Sequence, residues 1–414
     1  MWVERTGGQD NDMKILMVNK FLYPNGGSET YIFSLGKQLC KMGHEVQYFG
    51  MEHEGRVVGN HAESYTSDMD FHTGKLSKLF YPFKIIYSRE ARRKIRKVLD
   101  DFQPDVVHLN NFNFQLTPSI LYEIAKYRRD SERKVRIIFT AHDSQLVCPN
   151  HLMQQYISKS LCTKCIGASP WNCTKYRCIH GSLVKSLLGS AEAFLYRSLG
   201  TYRLIDTAVC PSEFLKEKLD TCRELREKTV VMHNFVEQRK TAGGRALQEK
   251  PYVLYFGRYS REKGIETLLR VCKRLADIPF VFAGNGDLEE QVNRTENIVN
   301  KGFLAGEDLA ELIKNAEFSV FPSECNENCP FTVMESLQYG TPVIGASIGG
   351  VPELIRDGEN GLLYESGNEQ QLCSRIETLW KDKTRLAALE KGCEETRFDT
   401  VETYCEKLLT YYNG

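Results

Sequence analysis

The chain has no excess of charge of either sign and no long hydrophobic run. Lys+Arg and Asp+Glu each total 54 in 414 residues, so global charge points to no nucleic-acid partner. Any electrostatic targeting is left to local patches. No stretch of about 18 apolar residues occurs, which argues against a spanning helix. The opening MWVERTGGQDND lacks an apolar signal core and is expected to be a disordered lead-in over 1–12, with the first element starting at Met13. Neither a repeat of solenoid period nor a low-complexity segment is present. Cysteine, by contrast, is plentiful at 14 residues, and without an export signal free thiols in a reducing cytoplasm are expected.

What is there suits a globular protein of two or three domains, with 42% hydrophobic and 26% charged residues. MKILMVNKF (13–21) reads as a buried strand, followed by the turn PNGGSET and an amphipathic helix to about Met42. HEVQYFG, PDVVHLNNF, RIIFTAHD, DTAVCPS and TVVMHN continue the strands. Residues 236–250 are polar and weakly periodic, as befits a linker. Alternation resumes at PYVLYFGR and runs through IPFVFAGNGD, FSVFPS and TPVIGAS. Strands alternating with helices imply an α/β protein with two Rossmann-like, doubly wound parallel-sheet domains facing across a cleft. Ligands of such sheets bind outside the carboxyl ends of the strands. The expected boundaries are 13–235 for the first domain, 251–394 for the second, and 395–414 for a last helix packing back on the first.

NENCPFTVMESLQYGTPV (326–343) places Glu327 in a loop and Glu335 inside a short helix. Pro330 suits the first helical position, and Gly340-Thr341-Pro342 ends the helix. Backbone N–H groups of Phe331, Thr332 and Val333 then form an anion-attracting terminus, with a phosphate as the usual guest. Glu335 is positioned for vicinal hydroxyls beside that phosphate, and Glu327 for its other side. The spacing matches a ligand with a sugar at each end and phosphate between. In FGRYSREKGIETLL, Arg258 and Lys263 have no carboxylate partner within the motif and can neutralise a leaving diphosphate. Asp287 and Glu290 in AGNGDLE have the spacing of a capping box.

These stretches, with KGFL and the run from FPSECNENCPF to ENGLLY, resemble retaining glycosyltransferases of family 4, which have the GT-B fold. Glu327 and Glu335 match that family's Glu-x7-Glu motif. GGSE, PDVVHLNN, TAHD and PSEF extend the resemblance over nearly the whole chain. It implies that Glu335 binds the nucleotide ribose, that Glu327 lies by the donor sugar, and that Arg258 and Lys263 hold the diphosphate. The base is expected near the backbone of Phe303 and Leu304. Gly26 and Gly27 match a glycine loop approaching donor phosphates and acceptor, with Glu29 beside them. His142, ending IIFTAH, matches a histidine near the reacting sugar carbon. His108 in VVHLNN is a further acceptor-side candidate, or a structural histidine.

Cys162-x2-Cys165 and Cys173-x4-Cys178, within an insertion over 148–180, are spaced as a tetrahedral zinc site would be. Packed thiols and disulfides are the alternatives. The loop follows His142 and is expected to shape the acceptor entrance. DMD (68–70) is read as chance because no buried strand precedes it. KLSKLFYPFKIIYSREARRKIRKVL (75–99) is basic, with Phe80, Tyr81, Phe83 and Tyr87 interleaved. Its helix should bury Ala91, Ile95 and Val98, leaving Arg89, Arg92, Arg93, Arg96 and Lys97 outward, either for an anionic membrane surface or as a merely solvated face. Residues 183–203 offer a second amphipathic surface.

The expected activity is metal-independent, retaining transfer from a nucleotide-diphosphate sugar to a glycan or polyprenyl-linked acceptor in surface-polysaccharide synthesis, such as capsule or lipopolysaccharide. No cofactor is required for catalysis in this reading, structural zinc aside. The expected location is cytoplasmic, peripheral on the inner face of the cell membrane. A nucleotide-sugar epimerase, a phosphorylase and a catalytically inactive partner subunit are the competing readings.

Overall fold

The structure, a computed structural model, describes residues 12–67, 86–236 and 251–414. Residues 1–11 of the lead-in, the DMD tripeptide, Phe80, Tyr81, Phe83 and the linker from 237 to 250 lie outside the described residues. Two compact units are present. One comprises residues up to Pro211 with Leu215–Met232 and Val401–Gly414, and the other Ser212–Phe214 with His233–Thr400.

In chain order the first sheet region contains β1 (Lys14–Val18), α1 (Gly27–Lys41), β2 (Glu45–Phe49), α2 (Arg89–Phe102), β3 (Val106–Leu109), α3 (Ser119–Asp130) and β4 (Arg136–Thr140). It continues with α4 (Trp171–Lys175), α5 (Leu183–Ser198), β5 (Thr207–Cys210), α6 (Glu213–Leu219) and β6 (Thr229–Val231). All pairings are parallel in the order β2-β1-β3-β4-β5-β6. Strands covered on both faces must be apolar throughout rather than alternating, and β1 buries Ile15, Leu16, Met17 and Val18 completely. The order reverses between β1 and β3, which opens a crevice at their carboxyl ends.

The second unit follows with β7 (Val253–Phe256), α7 (Ile265–Arg274), β8 (Phe280–Ala283), α8 (Glu289–Asn293), β9 (Ile298–Asn300), α9 (Gly306–Asn315) and β10 (Phe318–Phe321). Then come α10 (Phe331–Gln338), β11 (Val343–Ser347), α11 (Val351–Leu354), β12 (Gly361–Glu365), α12 (Glu369–Lys381) and α13 (Lys383–Glu395). Its parallel sheet has the order β12-β11-β10-β7-β8-β9, so the reversal falls between β7 and β10. Arg258, Lys263 and Glu327 all follow the ends of those two strands.

A last helix, α14 (Val401–Asn413), belongs to the first unit. It buries Tyr404, Cys405, Leu408 and Tyr412, whereas Tyr411 is only half-buried. Tyr404 and Tyr412 reach the core through polar tips, since the Tyr31 hydroxyl lies 3.0 Å from that of Tyr404. Two local expectations differ. Pro330 is the residue before α10, with extended ψ of 122°, and the first helical residue is Phe331. The capping box at Asp287 and Glu290 does not form, because α8 starts two residues after Asp287 and Glu290 pairs along the helix with Arg294.

Candidate functional site

At the second unit's reversal point the chain turns tightly after β7. Gly264 ends the 3-10 turn Arg261–Lys263 at φ +72°, and a Cβ there would sit 1.8 Å from the Pro322 carbonyl oxygen. That closeness is why a glycine is needed between the segments after β7 and β10. Lys263 is thereby carried to Glu327, with Nζ 2.5 Å from Oε1. The Ser323 hydroxyl donates to the same oxygen at 2.7 Å, and the Cys325 thiol lies at 3.7 Å. The Glu327 loop is held from behind by Gly350 N–H, which donates to the Glu327 carbonyl at 2.7 Å.

Lys263 has its carboxylate partner outside its own motif, which offered none. The partner lies 64 residues along the chain. Burial opposes the lysine's charge, and Arg258 does too. Glu327, Cys325 and the hydrogen bond outweigh them and hold its pKa above the ordinary value. An ammonium has three N–H donors, so the bond to Glu327 leaves others for an anion. Arg258 is exposed, while its backbone carbonyl is fixed by the Tyr255 hydroxyl at 2.8 Å.

The α10 terminus brings Phe331 and Thr332 half-buried and Val333 buried, with Glu335 half-buried one turn on. Gly340 at φ +83° and the bond from Thr341 N–H to the Ser336 carbonyl close the helix. Beyond β9, Phe303 is 72% exposed and Leu304 packs against the small cluster around Leu254 and Ile313. The Gly302 carbonyl accepts from Gly284 N–H, joining this loop to the glycine turn after β8.

In the first unit the crevice at β1 and β3 is lined by amide side chains that sequence reasoning passed over. Asn19 donates through Nδ2 to Glu29 Oε1 at 2.8 Å and to the Phe21 carbonyl at 2.7 Å, and its Oδ1 accepts from Asn111 N–H at 3.0 Å. Ser28 also donates to Glu29 Oε1, so the GGSE turn is held from below. Glu29 is buried and occupied there. Gly26 has φ −177°, extended backbone open to any residue, and Gly27 is not among the positive-φ glycines. Neither position requires a conformation special to glycine, and a Cβ on Gly26 would meet Glu29 Oε2 only at 3.6 Å.

His142, at the end of β4, is half-buried. Asn110 spends its Nδ2 on the carbonyls of Val18 and His108, so its Oδ1 accepts, and His142 Nε2–H donates to it at 2.9 Å. This bond leaves Nδ1 as the acceptor nitrogen. Burial lowers the pKa of His142 to about 4, against an upward pull from Asp143, and the ring is neutral near pH 7. Its edge meets the face of Tyr31 at 5.0 Å. His108 is fully buried, with Nδ1 2.6 Å from the Tyr412 hydroxyl and Nε2 2.7 Å from the Thr140 hydroxyl. It anchors α14, so its geometry is that of the structural alternative.

Of the readings open for the four cysteines, the geometry is that of packed thiols. Cys165, Cys173 and Cys178 make a buried cluster with Tyr176 and Ile179, and Cys162 is only half-buried. Among the described residues no group of three or more His, Cys, Asp or Glu is gathered to hold a metal ion. All fourteen cysteines are free thiols. Burial pushes the Cys165 thiol up to about 12 and Cys148 to about 11, which favours the neutral, packed form. The loop is tied to the β4 end instead by Asp143, whose Oδ2 lies 3.4 Å from His151 Nδ1, with His151 stacked on Phe114.

The α2 helix buries Ala91, Ile95 and Val98, as its stripe predicts, and exposes Arg89, Arg93 and Lys97, whereas Arg92 and Arg96 are half-buried and paired. Arg92 pairs with Glu123 at 2.7 Å, and Arg96 with Asp100 at 2.8 Å and Asp130 at 3.4 Å. Asp100 belongs to α2 itself, while neighbouring α3 supplies Glu123 and Asp130.

The family model described as Glycosyltransferase Family 4 matches residues 25–240, and that described as Glycosyl transferases group 1 matches residues 237–395. Sulfoquinovosyl transferase SQD2 of Arabidopsis thaliana is 29% identical over 153 residues, 36% of this chain but only 30% of that relative's length. An uncharacterized 42.6 kDa protein in the cps region of Klebsiella pneumoniae is 24% identical over 362 residues, 83% of this chain and 88% of the relative. The crystal structure of Anabaena Alr3699/HepE in complex with UDP-glucose matches with a TM-score of 0.63 at 17% identity, covering 96% of this chain and 99% of that one. That likeness is one of fold. With one family model spanning more than half of its length and a second taking up the remainder, the chain belongs to Glycosyltransferase Family 4 and has the two-unit α/β architecture of the GT-B fold.

Proposed function

We propose that the protein is a retaining, metal-independent glycosyltransferase that moves one sugar from a nucleotide-diphosphate donor to a hydroxyl of a lipid-linked surface glycan. The observation that carries this reading is the Lys263–Glu327 pair at the carboxyl ends of β7 and β10, beside the N-terminus of α10. Lys263 and Arg258 neutralise the departing diphosphate, and the α10 N–H groups at Phe331, Thr332 and Val333 add fixed dipoles. Such a set performs the charge neutralisation that a divalent cation performs elsewhere. Glu335 takes the ribose hydroxyls. Glu327, whose Oε1 already receives Lys263 and Ser323, presents its other oxygen to the donor sugar. The base lies along the Phe303–Leu304 backbone, and the UDP-glucose complex of a protein of the same fold is in keeping with such a donor.

His142 serves the reacting end of the donor sugar. A neutral ring with Nε2–H committed to Asn110 acts through Nδ1 as a hydrogen-bond acceptor rather than as a cation. No covalent nucleophile is assigned, because the two glutamates serve different ends of the donor, unlike the paired carboxyls about 5 Å apart of a retaining hydrolase. The relative from a cps region supports surface-polysaccharide assembly as the setting.

A panel of nucleotide sugars screened by thermal shift, followed by transfer to membrane lipid extract, tests the proposal. Glu335→Ala is expected to lower kcat/KM at least about tenfold, or ~1.4 kcal/mol of transition-state stabilisation. A nucleotide sugar rearranged without any acceptor, or inversion at the transferred carbon, overturns it.

A further inference from the structure

Helix α5 is built inside out. Its buried side carries Ser186, Gly189, Ser190, Glu192, Ala193 and Tyr196, mostly small or polar. Its exposed side carries Leu183, Val184, Leu187, Phe194 and Leu195, with Val184 64% and Phe194 50% exposed. A helix placed only by burial of its apolar stripe would be turned the other way. Polar bonds fix this orientation. The Thr174 hydroxyl donates to the Ser190 hydroxyl at 2.8 Å and to the Ser186 carbonyl at 3.1 Å. The Ser190 hydroxyl in turn donates to the Pro170 carbonyl at 2.9 Å, and the Ser186 hydroxyl accepts from Ile179 N–H at 3.0 Å. Gly189 lets the cysteine loop come close, since a Cβ there would lie 2.5 Å from Ile179 Cδ1.

The cysteine loop extends the apolar face. Trp171 and Phe194 have ring centroids 5.8 Å apart, and Tyr156 covers Gly181 just before the helix. Ile157, 67% exposed, and Leu161 belong to the same loop. From residue 144 to residue 191 the sequence contains no Asp or Glu and five basic residues, Lys159, Lys164, Lys175, Arg177 and Lys185. All five are exposed. Lys159 lies over the Tyr156 ring at 4.0 Å, and Lys164 over the Tyr176 ring at 4.0 Å, so cations border the aromatic surface.

We infer that α5 and the cysteine loop form a docking surface for the anionic leaflet of a lipid bilayer, with the aliphatic and aromatic side chains entering the acyl boundary and the lysines meeting headgroup phosphates. Three features select this occupant over a protein partner. The apolar residues stand in a wide face rather than a groove, the charges on the segment are of one sign, and amphipathic aromatic and lysine side chains mix with the aliphatics. Among the described residues no helix is long and apolar enough to cross a membrane, and the contact proposed is interfacial. The basic face expected on α2 is partly neutralised by Glu123, Asp100 and Asp130, and the surface assigned here lies on another part of the same unit. This deepens the proposal of a lipid-linked acceptor and rests on it only for its biological purpose.

Co-sedimentation with vesicles of about 30 mol % phosphatidylglycerol in phosphatidylcholine, at about 0.1 M salt, tests it without donor or turnover. The wild type is expected to sediment with these vesicles and at least about tenfold less with pure phosphatidylcholine. Val184→Glu with Leu187→Glu is expected to weaken binding at least about tenfold, as is the triple variant Lys159→Glu, Lys164→Glu, Lys175→Glu. Both should keep the wild-type unfolding midpoint and nucleotide-induced thermal shift, because none of these side chains is buried. Phe194→Ser provides a second apolar variant if the first does not fold. Absence of vesicle binding by the wild type, or equal binding by the folded apolar variants, overturns the surface. So does a dimer that the apolar variants dissociate while vesicles leave the wild type in solution, which gives the face to a second copy. A protein that binds vesicles through this face yet glycosylates only water-soluble glycans keeps the surface and removes the lipid-linked acceptor.

Discussion

Lys263 Nζ lies 2.5 Å from Glu327 Oε1, bridging the segments that leave two adjacent parallel strands. The pair is partly shielded, with the lysine side chain 32% and the glutamate 13% exposed. Loss of either partner strands the other. Lys263→Met or Glu327→Gln alone is expected to cost ~1–3 kcal/mol of stability, and a double-mutant cycle by urea denaturation to give coupling of at least ~1 kcal/mol. Additive single effects mean that the pair contributes nothing in the ligand-free protein.

Gly349 holds the Glu327 loop from behind. At φ +58°, a Cβ on it would approach the Glu327 carbonyl oxygen to 2.1 Å. Gly349→Ala is therefore expected to displace Glu327 and lower kcat/KM about a hundredfold or more, with a smaller loss of stability of ~1–3 kcal/mol. Unchanged kinetics in the alanine variant is the contrary result.

The buried contact of His108 with Tyr412 predicts a role in stability rather than in chemistry. Tyr412→Phe removes the partner of a buried ring nitrogen and is expected to cost ~1–3 kcal/mol. The KM for donor should remain within about twofold of wild type. A changed KM with an unchanged unfolding midpoint would instead put His108 at the substrate.

Buried His108 and half-buried His142 give stability a definite pH dependence. Burial lowers His108 to about 3, with His142 adding to the effect, and lowers His142 to about 4. Above the unfolded pKa near 6.5 neither state carries these protons. Below it the unfolded chain binds protons that the folded one refuses, so stability falls from about pH 6.5 toward the folded values, by at most ~1.4 kcal/mol per pH unit for each ring. Urea midpoints between pH 8 and pH 4 measure this, and His108→Phe should flatten the slope. By the same sign, kcat/KM should show no acid limb from His142 near pH 6.5.

Chelation provides the remaining test. If Arg258 and Lys263 meet the diphosphate charge as proposed, preparations treated with EDTA keep their activity within about twofold. Activity lost on chelation and restored by manganese contradicts this.

The two-sheet architecture was legible because each strand is a short apolar run ended by a turn, and such periodicity is a property of contiguous residues. The same holds for Gly340, which stops α10, and for the buried stripe of α2. The family followed from motifs whose spacing is local, including Glu327 and Glu335. Partner choice was not legible. Lys263 looked unpaired because Glu327 is remote in sequence, and Arg92 looked free because Glu123 sits on the next helix. His108 could be read two ways until Tyr412, 304 residues away, came to rest against it.

The cysteines show the same division, since CxxC spacing describes what a loop can reach while packing settled three of these thiols among Tyr176 and Ile179. The sequence by itself determined the alternation of strands and helices, the turn glycines and the family. Only the tertiary structure decided which charges neutralise one another and which face of α5 meets solvent. Backbone periodicity is written in neighbouring residues, whereas side-chain partners depend on the order in which the sheet brings distant strands together.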